Sequence, residues 1–69
     1  MPTFIVNTND QPTGEHEVHN LHGCIRLPEP GNRRALGEHV SCHSALTAAK
    51  KIYPNSDGCY YCCPDCHKK

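Results

Sequence analysis

The last eleven residues, Cys59-Tyr60-Tyr61-Cys62-Cys63-Pro64-Asp65-Cys66-His67-Lys68-Lys69, carry four of the six cysteines as two interlocked Cys-x-x-Cys pairs. Two thiolates three positions apart in a tight turn can both reach one metal ion, at about 2.3 Å for Zn2+. A tetrahedral ion needs further ligands, and a second cluster upstream offers His16, His19, His22 and Cys24. An ion shared by the two segments closes a long loop of chain and becomes part of the fold.

Length makes that constraint decisive. At 69 residues the chain is read as a single domain, 1–69. A chain of this size buries only about 60% of the surface its unfolded form exposes. Its core material is thin, with one Phe, three Tyr and no Trp, and six Pro and five Gly interrupt regular structure. Such scaffolds are normally held by disulfides, a metal or oligomerisation. Six cysteines allow fifteen disulfide pairings, among which the sequence does not choose. The start, Met1-Pro2-Thr3-Phe4-Ile5-Val6 followed by Asn7-Thr8-Asn9-Asp10, has no basic segment with a long apolar run behind it, and no stretch is long enough to span a membrane. The expected compartment is therefore the reducing cytoplasm, where thiols persist and bind metal. Seven basic residues balance seven acidic ones, so no overall field draws the chain to nucleic acid or an anionic membrane. The doublets Arg33-Arg34, Lys50-Lys51 and Lys68-Lys69 read as solvated surface.

Thr3-Phe4-Ile5-Val6 is β-branched and aromatic and reads as a strand, followed by a turn-rich run to Gly14 and a partner strand near residues 15–19. Leu27-Pro28-Glu29-Pro30-Gly31-Asn32 excludes regular structure, and residues 35–40 form a further short strand. The clearest element is a helix over residues 42–53. Ser41 is its N-cap, and Cys42, Ala45, Leu46, Ala49, Ile52 and Tyr53 recur on one apolar face. Pro54 stops it, and Asn55-Ser56-Asp57-Gly58 turns the chain into the cysteine cluster. The fold class is α+β: a small metal-stabilised domain with a short β-hairpin or sheet and one α-helix.

Among the thiols, Cys59-x-x-Cys62 follows Gly58 as a metal-binding knuckle would, with Cys63-x-x-Cys66 as its rival. Upstream, His19-x4-Cys24 brackets a loop that Gly23 can turn. The expected ligands of one Zn2+ are His19, Cys24, Cys59 and Cys62, with Cys66 as first substitute. His16, His39 and His43 read as exposed polar residues, with His43 on the solvent face of the helix away from Cys42. Cys42 reads as a buried free cysteine on that helix's apolar face, and one or both of Tyr60 and Tyr61 as packing against the helix, with stacking on nucleic-acid bases as the alternative.

The order His19-x4-Cys24, proline-rich loop, strand, Ala-rich helix and Gly58-Cys59-x-x-Cys62 resembles the small metal-binding domain of the Ada-type DNA repair proteins and similar short bacterial zinc modules. The ending Gly58-Cys59-Tyr60-Tyr61-Cys62 likewise resembles that of a group of short bacterial proteins with a His-rich start. The resemblance covers roughly residues 16–67 and implies an early ligand pair, a strand, a helix and a final Cys-x-x-Cys around zinc. Cys63, Cys66 and His67 have no place in that pattern, and the first ligand is a histidine. The methyl-accepting activity of the Ada-type domain does not carry over, because it needs DNA-binding surface and flanking domains. The expected role is a binding or adaptor module for a protein or nucleic-acid partner, monomeric or weakly oligomeric, with no membrane. Metal or thiol handling and thiol–disulfide redox chemistry are the alternatives. No catalytic constellation is evident.

Overall fold

The computed structural model describes residues 1–68 and is an α+β fold with a four-stranded mixed sheet covered by one helix. Strand β1 (Thr3–Asn7) supplies three consecutive buried residues, Phe4, Ile5 and Val6. A strand buried on both faces belongs inside a sheet, and β1 lies between β2 (His16–Asn20) and β3 (Arg33–Glu38), antiparallel to both. The β1–β2 connection closes with Gly14 at φ +98°, a conformation that costs a glycine little.

The register of β1 against β3 slips between Phe4 and Ile5, which face Gly37 and Ala35, so Leu36 is the extra residue of a bulge. Gly37 takes φ +82° there. The bulge aims Leu36 at the core, where it packs with Phe4, Val6, Val18, Ala45 and Ala49.

Helix α1 spans Cys42–Lys50. Ser41 is its N-cap, with the hydroxyl accepting from the His43 amide at 3.3 Å. The expected helix to residue 53 ends three residues early, because the last turn tightens. Lys51 and Ile52 donate to the carbonyls three residues back, at 3.2 and 2.9 Å, ahead of Pro54. Ala45 and Ala49 face the sheet with no exposed surface. Their small size lets the helix sit close, and Tyr53 stacks on His16 with ring centroids 3.9 Å apart. His16, expected to be exposed, is half-buried, and its Nδ1 is 2.9 Å from the carbonyl oxygen of Asn7.

From the sequence, residues 55–58 are expected to be only a turn. The structure places a short edge strand there, β4 (Ser56–Gly58), parallel to β2 with Ser56, Asp57 and Gly58 opposite His16, Glu17 and Val18. Its residues are poor strand formers, and the partner strand overrides that preference. The His16 amide donates to the Asn55 carbonyl and the Cys59 amide to the Val18 carbonyl, both at 2.9 Å. This ladder delivers Cys59 beside β2. Beyond it, a 3-10 turn (Pro64–Cys66) folds the C-terminal segment back under Gly58.

Cys42 and Cys66 are joined by a disulfide across 24 positions, so Cys42 is not the free core thiol its helical face suggests. A bridge of that span is worth about 3.5 kcal/mol in the loop-entropy account. The other four cysteines, Cys24, Cys59, Cys62 and Cys63, are free. Among the described residues, no helix is long and apolar enough to cross a membrane.

Candidate metal centre

His19 and Ile5 are cross-strand partners, and both are absent from the cluster that packs beneath the helix. Alternation along the strand thus sends His19 to the sheet face opposite α1. The chain after β2 turns sharply. Asn20 accepts from the Gly23 amide through its carbonyl and from the His22 amide through its side chain, both at 3.2 Å. This turn returns Cys24 to His19. From the other side, β4 brings in Cys59, and a turn closed by the Cys63 amide on the Cys59 carbonyl at 2.8 Å presents Cys62.

His19, Cys24, Cys59 and Cys62 thus converge, with one donor atom from each all within 4.8 Å of one another. The Nδ1 of His19 is 3.4 Å from the sulfur of Cys24 and 3.8 Å from that of Cys62. The sulfurs of Cys24 and Cys59 are 3.7 Å apart. Tetrahedral coordination with metal–sulfur bonds near 2.3 Å and metal–nitrogen bonds near 2.0–2.1 Å gives S···S edges of about 3.8 Å and N···S edges of about 3.6 Å. The observed separations match those edges. These Cys and His groups are suited to holding a metal ion.

Backbone amides support the sulfurs as they would thiolates. Asn20 N–H points at Cys62 and Arg26 N–H at Cys24, each at 3.3 Å. The amides of Tyr61 and Cys62 reach the sulfur of Cys59 and favour its anion. The other ring nitrogen of His19 faces the Glu17 carboxylate at 3.7 Å, on the side where metal-bound histidines commonly find an orienting partner.

Burial acts the opposite way on each charged form. It pushes the thiols of Cys59, Cys62 and Cys63 above the ordinary range. It lowers His19 to about 4, with Arg33 adding to the effect. A neutral imidazole is the ligand form, and a buried thiolate costs much without a cation to compensate it.

The His19 shift separates a preformed site from one made by the ion. In an unfolded chain His19 takes a proton near 6.5, but in the fold only near 4. A depressed folded pKa means that His19's contribution to stability is present above pH 6.5 and lost as pH falls from 6.5 through 4. At pH 5 the three thiols each release a proton on binding metal. If the metal-free chain is unfolded, His19 releases a fourth. Burial raises the Glu17 carboxyl, so Glu17 takes up part of a proton on folding, and calorimetry in buffers of different ionisation enthalpy should give a release at pH 5 above three protons per ion but short of four. Three would mean the site exists before the ion arrives.

Cys66, the expected first substitute among the ligands, is not in this cluster. The 3-10 turn swings it under Gly58 toward the start of α1, where its sulfur is bonded to Cys42. Cys63 is buried in the core with its sulfur 3.9 Å from that of Cys62. His67 faces β4, its Nδ1 3.0 Å from the Gly58 carbonyl oxygen and 3.2 Å from the Asp57 carboxylate. His43 is exposed, but its Nδ1 is 3.6 Å from the Cys66 sulfur, so it does not stand away from the helix thiol. No sequence spacing pairs Cys42 and His43 with Cys66.

Tyr60 and Tyr61 do not pack on the helix. A knuckle turns its ligands inward and the residues between them outward, leaving these rings 63% and 53% exposed. Tyr61 lies under the Arg26 guanidinium at 4.6 Å from its centroid. Compared with known protein families, curated proteins and solved structures, the chain matches none.

Proposed function

We propose that the protein is a small zinc module in which one closed four-ligand site ties the fold together and displays a protein-binding surface around it. The observation that carries this reading is the convergence of His19, Cys24, Cys59 and Cys62, with all four donors within 4.8 Å of one another and three of the separations at tetrahedral edge lengths. Three sulfurs and one imidazole form a donor set that suits Zn2+, as in structural Cys3His sites. With four protein ligands no position is left for water, so the role is structural and not hydrolytic. The order of ligands along the chain accords with the Ada-type and similar zinc modules that the sequence resembles.

The surface follows from what the two ligand loops expose. Ile25 is 85% exposed directly after ligand Cys24, and Tyr60 and Tyr61 stand between ligands Cys59 and Cys62. Tyr60, Tyr61 and the Arg26 that lies over Tyr61 are residue types enriched at protein interfaces, and they stand with Ile25 on loops that the ion would hold rigid. Zero net charge favours a protein partner over nucleic acid.

Two experiments test this. Anaerobic metal analysis of the disulfide-intact protein, equilibrated without reductant with equal Zn2+, Fe2+ and Co2+, should return one Zn2+ per chain. The variant Ile25→Ser/Tyr61→Ala should retain its zinc and melt within about 0.5 kcal/mol of the parent, as exposed positions do. A loss above 1 kcal/mol would make these residues structural and withdraw the binding face. A single-stranded oligonucleotide bound at low salt and released as salt rises would redirect the assignment to nucleic acid.

A further inference from the structure

Cys42, His43 and Cys66 form a second group of donors, all within 4.8 Å of one another, that the zinc module does not use. Two elements build it. Cys42 and His43 are the first residues of α1, and Cys66 ends the 3-10 turn that passes under Gly58. In the structure the two sulfurs are bonded to each other, with their Cα atoms 6.3 Å apart. The imidazole of His43 stands beside that bond, Nδ1 3.6 Å from the Cys66 sulfur, on the exposed side of the helix.

We infer that these three residues are a second, redox-gated metal site, closed as the Cys42–Cys66 disulfide and able to take Zn2+ once that disulfide is reduced. The opening step is thiol–disulfide exchange. A dithiol reductant breaks the Cys42–Cys66 bond, leaving two protein thiols, and is itself oxidised to a disulfide. Zn2+ then displaces one proton from each thiol and takes the Nδ1 lone pair of His43. Both sulfurs must part to about 3.8 Å, which the bond forbids and reduction permits. The start of a nine-residue helix, with its free amides, favours the two thiolates.

Its chemistry differs from that of the first centre in one respect. His19, Cys24, Cys59 and Cys62 fill all four positions, whereas here three protein ligands leave the fourth to water. An ion held this way is exposed through His43 and exchanges readily. The chain would then carry one permanent ion and one that is gained and lost with the thiol state of its surroundings. This inference does not depend on the binding face, and the oxidised protein tests the first centre separately.

The test is Zn2+ titration followed by native mass spectrometry, with and without a non-thiol phosphine reductant. The oxidised protein should hold one equivalent and the reduced protein two. In the reduced protein excess Zn2+ should slow iodoacetamide alkylation of Cys42 and Cys66 at least tenfold, mapped on peptides, with no substitution required. His43→Ala, reduced, should keep the first ion and bind the second at least tenfold more weakly. One equivalent in both redox states, with Cys42 and Cys66 alkylated at the same rate whether or not Zn2+ is present, overturns the inference. So does a second equivalent that survives Cys42→Ser/Cys66→Ser. Zero equivalents in the oxidised protein would instead count against the first centre.

Discussion

Cys59→Ser should abolish the fold: no cooperative thermal transition by circular dichroism in excess Zn2+, and no bound ion. The argument is one of scale. At 0.05–0.15 kcal/mol per residue, a chain of 69 residues has a net stability of about 3–10 kcal/mol. A structural Zn2+ supplies an apparent 10–16 kcal/mol. The apolar core beneath the helix is Phe4, Val6, Val18 and two alanines, joined by Cys63 and Cys66, and it cannot replace that sum. Cys59 is 1% exposed, so an unliganded polar serine at its position also lacks the water that would solvate it. Cys63→Ala is the matched control. It removes an equally buried thiol that is not among the four ligands, and it should cost about 1–2 kcal/mol while keeping the ion. If Cys59→Ser melts cooperatively within about 1 kcal/mol of the parent, the metal is not what holds the chain.

Gly58→Ala should cost about 3 kcal/mol, at the upper end for overpacking, and lower metal affinity with it. A Cβ at Gly58 would lie 2.7 Å from the Cys66 Cβ, 2.8 Å from the Cys63 carbonyl oxygen and 2.8 Å from the Cys66 carbonyl carbon. Two of those are backbone atoms of the turn that ends in the disulfide, and they cannot swing aside as a side chain would. Gly58 is also the residue before ligand Cys59 and is paired with Val18 in the ladder. Any shift therefore passes directly to the metal site. Gly31→Ala is the contrast. Nothing lies within 4 Å of its Cβ position and its φ is not positive, so the change should stay within about 0.5 kcal/mol. Equal costs at the two sites in chemical denaturation would contradict this account of Gly58.

What the sequence revealed follows from which forces are local. The helix was legible because Ser41, the alanines and Pro54 all act within a few residues. Strand β1 was legible because Phe4-Ile5-Val6 is a short apolar run. Four converging donors were legible for another reason: two thiols in a knuckle need partners, and the chain offers few. Strand β4 was not legible, because Ser56-Asp57-Gly58 favours a turn, and only pairing with β2 extends it. The fate of Cys66 was hidden for the same reason. Its spacing to Cys63 imitates a knuckle, while its actual neighbour lies across 24 positions and is brought there by the fold. Tyr60 and Tyr61 stand outside the core because the turn sends residues between two ligands outward, a consequence that the chain's scarcity of aromatics does not reveal.

The central claim is that one ion, held by His19, Cys24, Cys59 and Cys62, joins the two ends of the chain. Its most direct test is NMR of the zinc-loaded, disulfide-intact protein, reading cysteine Cβ shifts and the histidine ring nitrogens before and after a chelator. The account predicts zinc-thiolate shifts for Cys24, Cys59 and Cys62 alone, a metal-bound Nδ1 on His19, a free-thiol shift for Cys63, and collapse of amide dispersion when the ion is removed. A spectrum in which Cys63 is a ligand in place of Cys24, or one left dispersed and unchanged by the chelator, would contradict it.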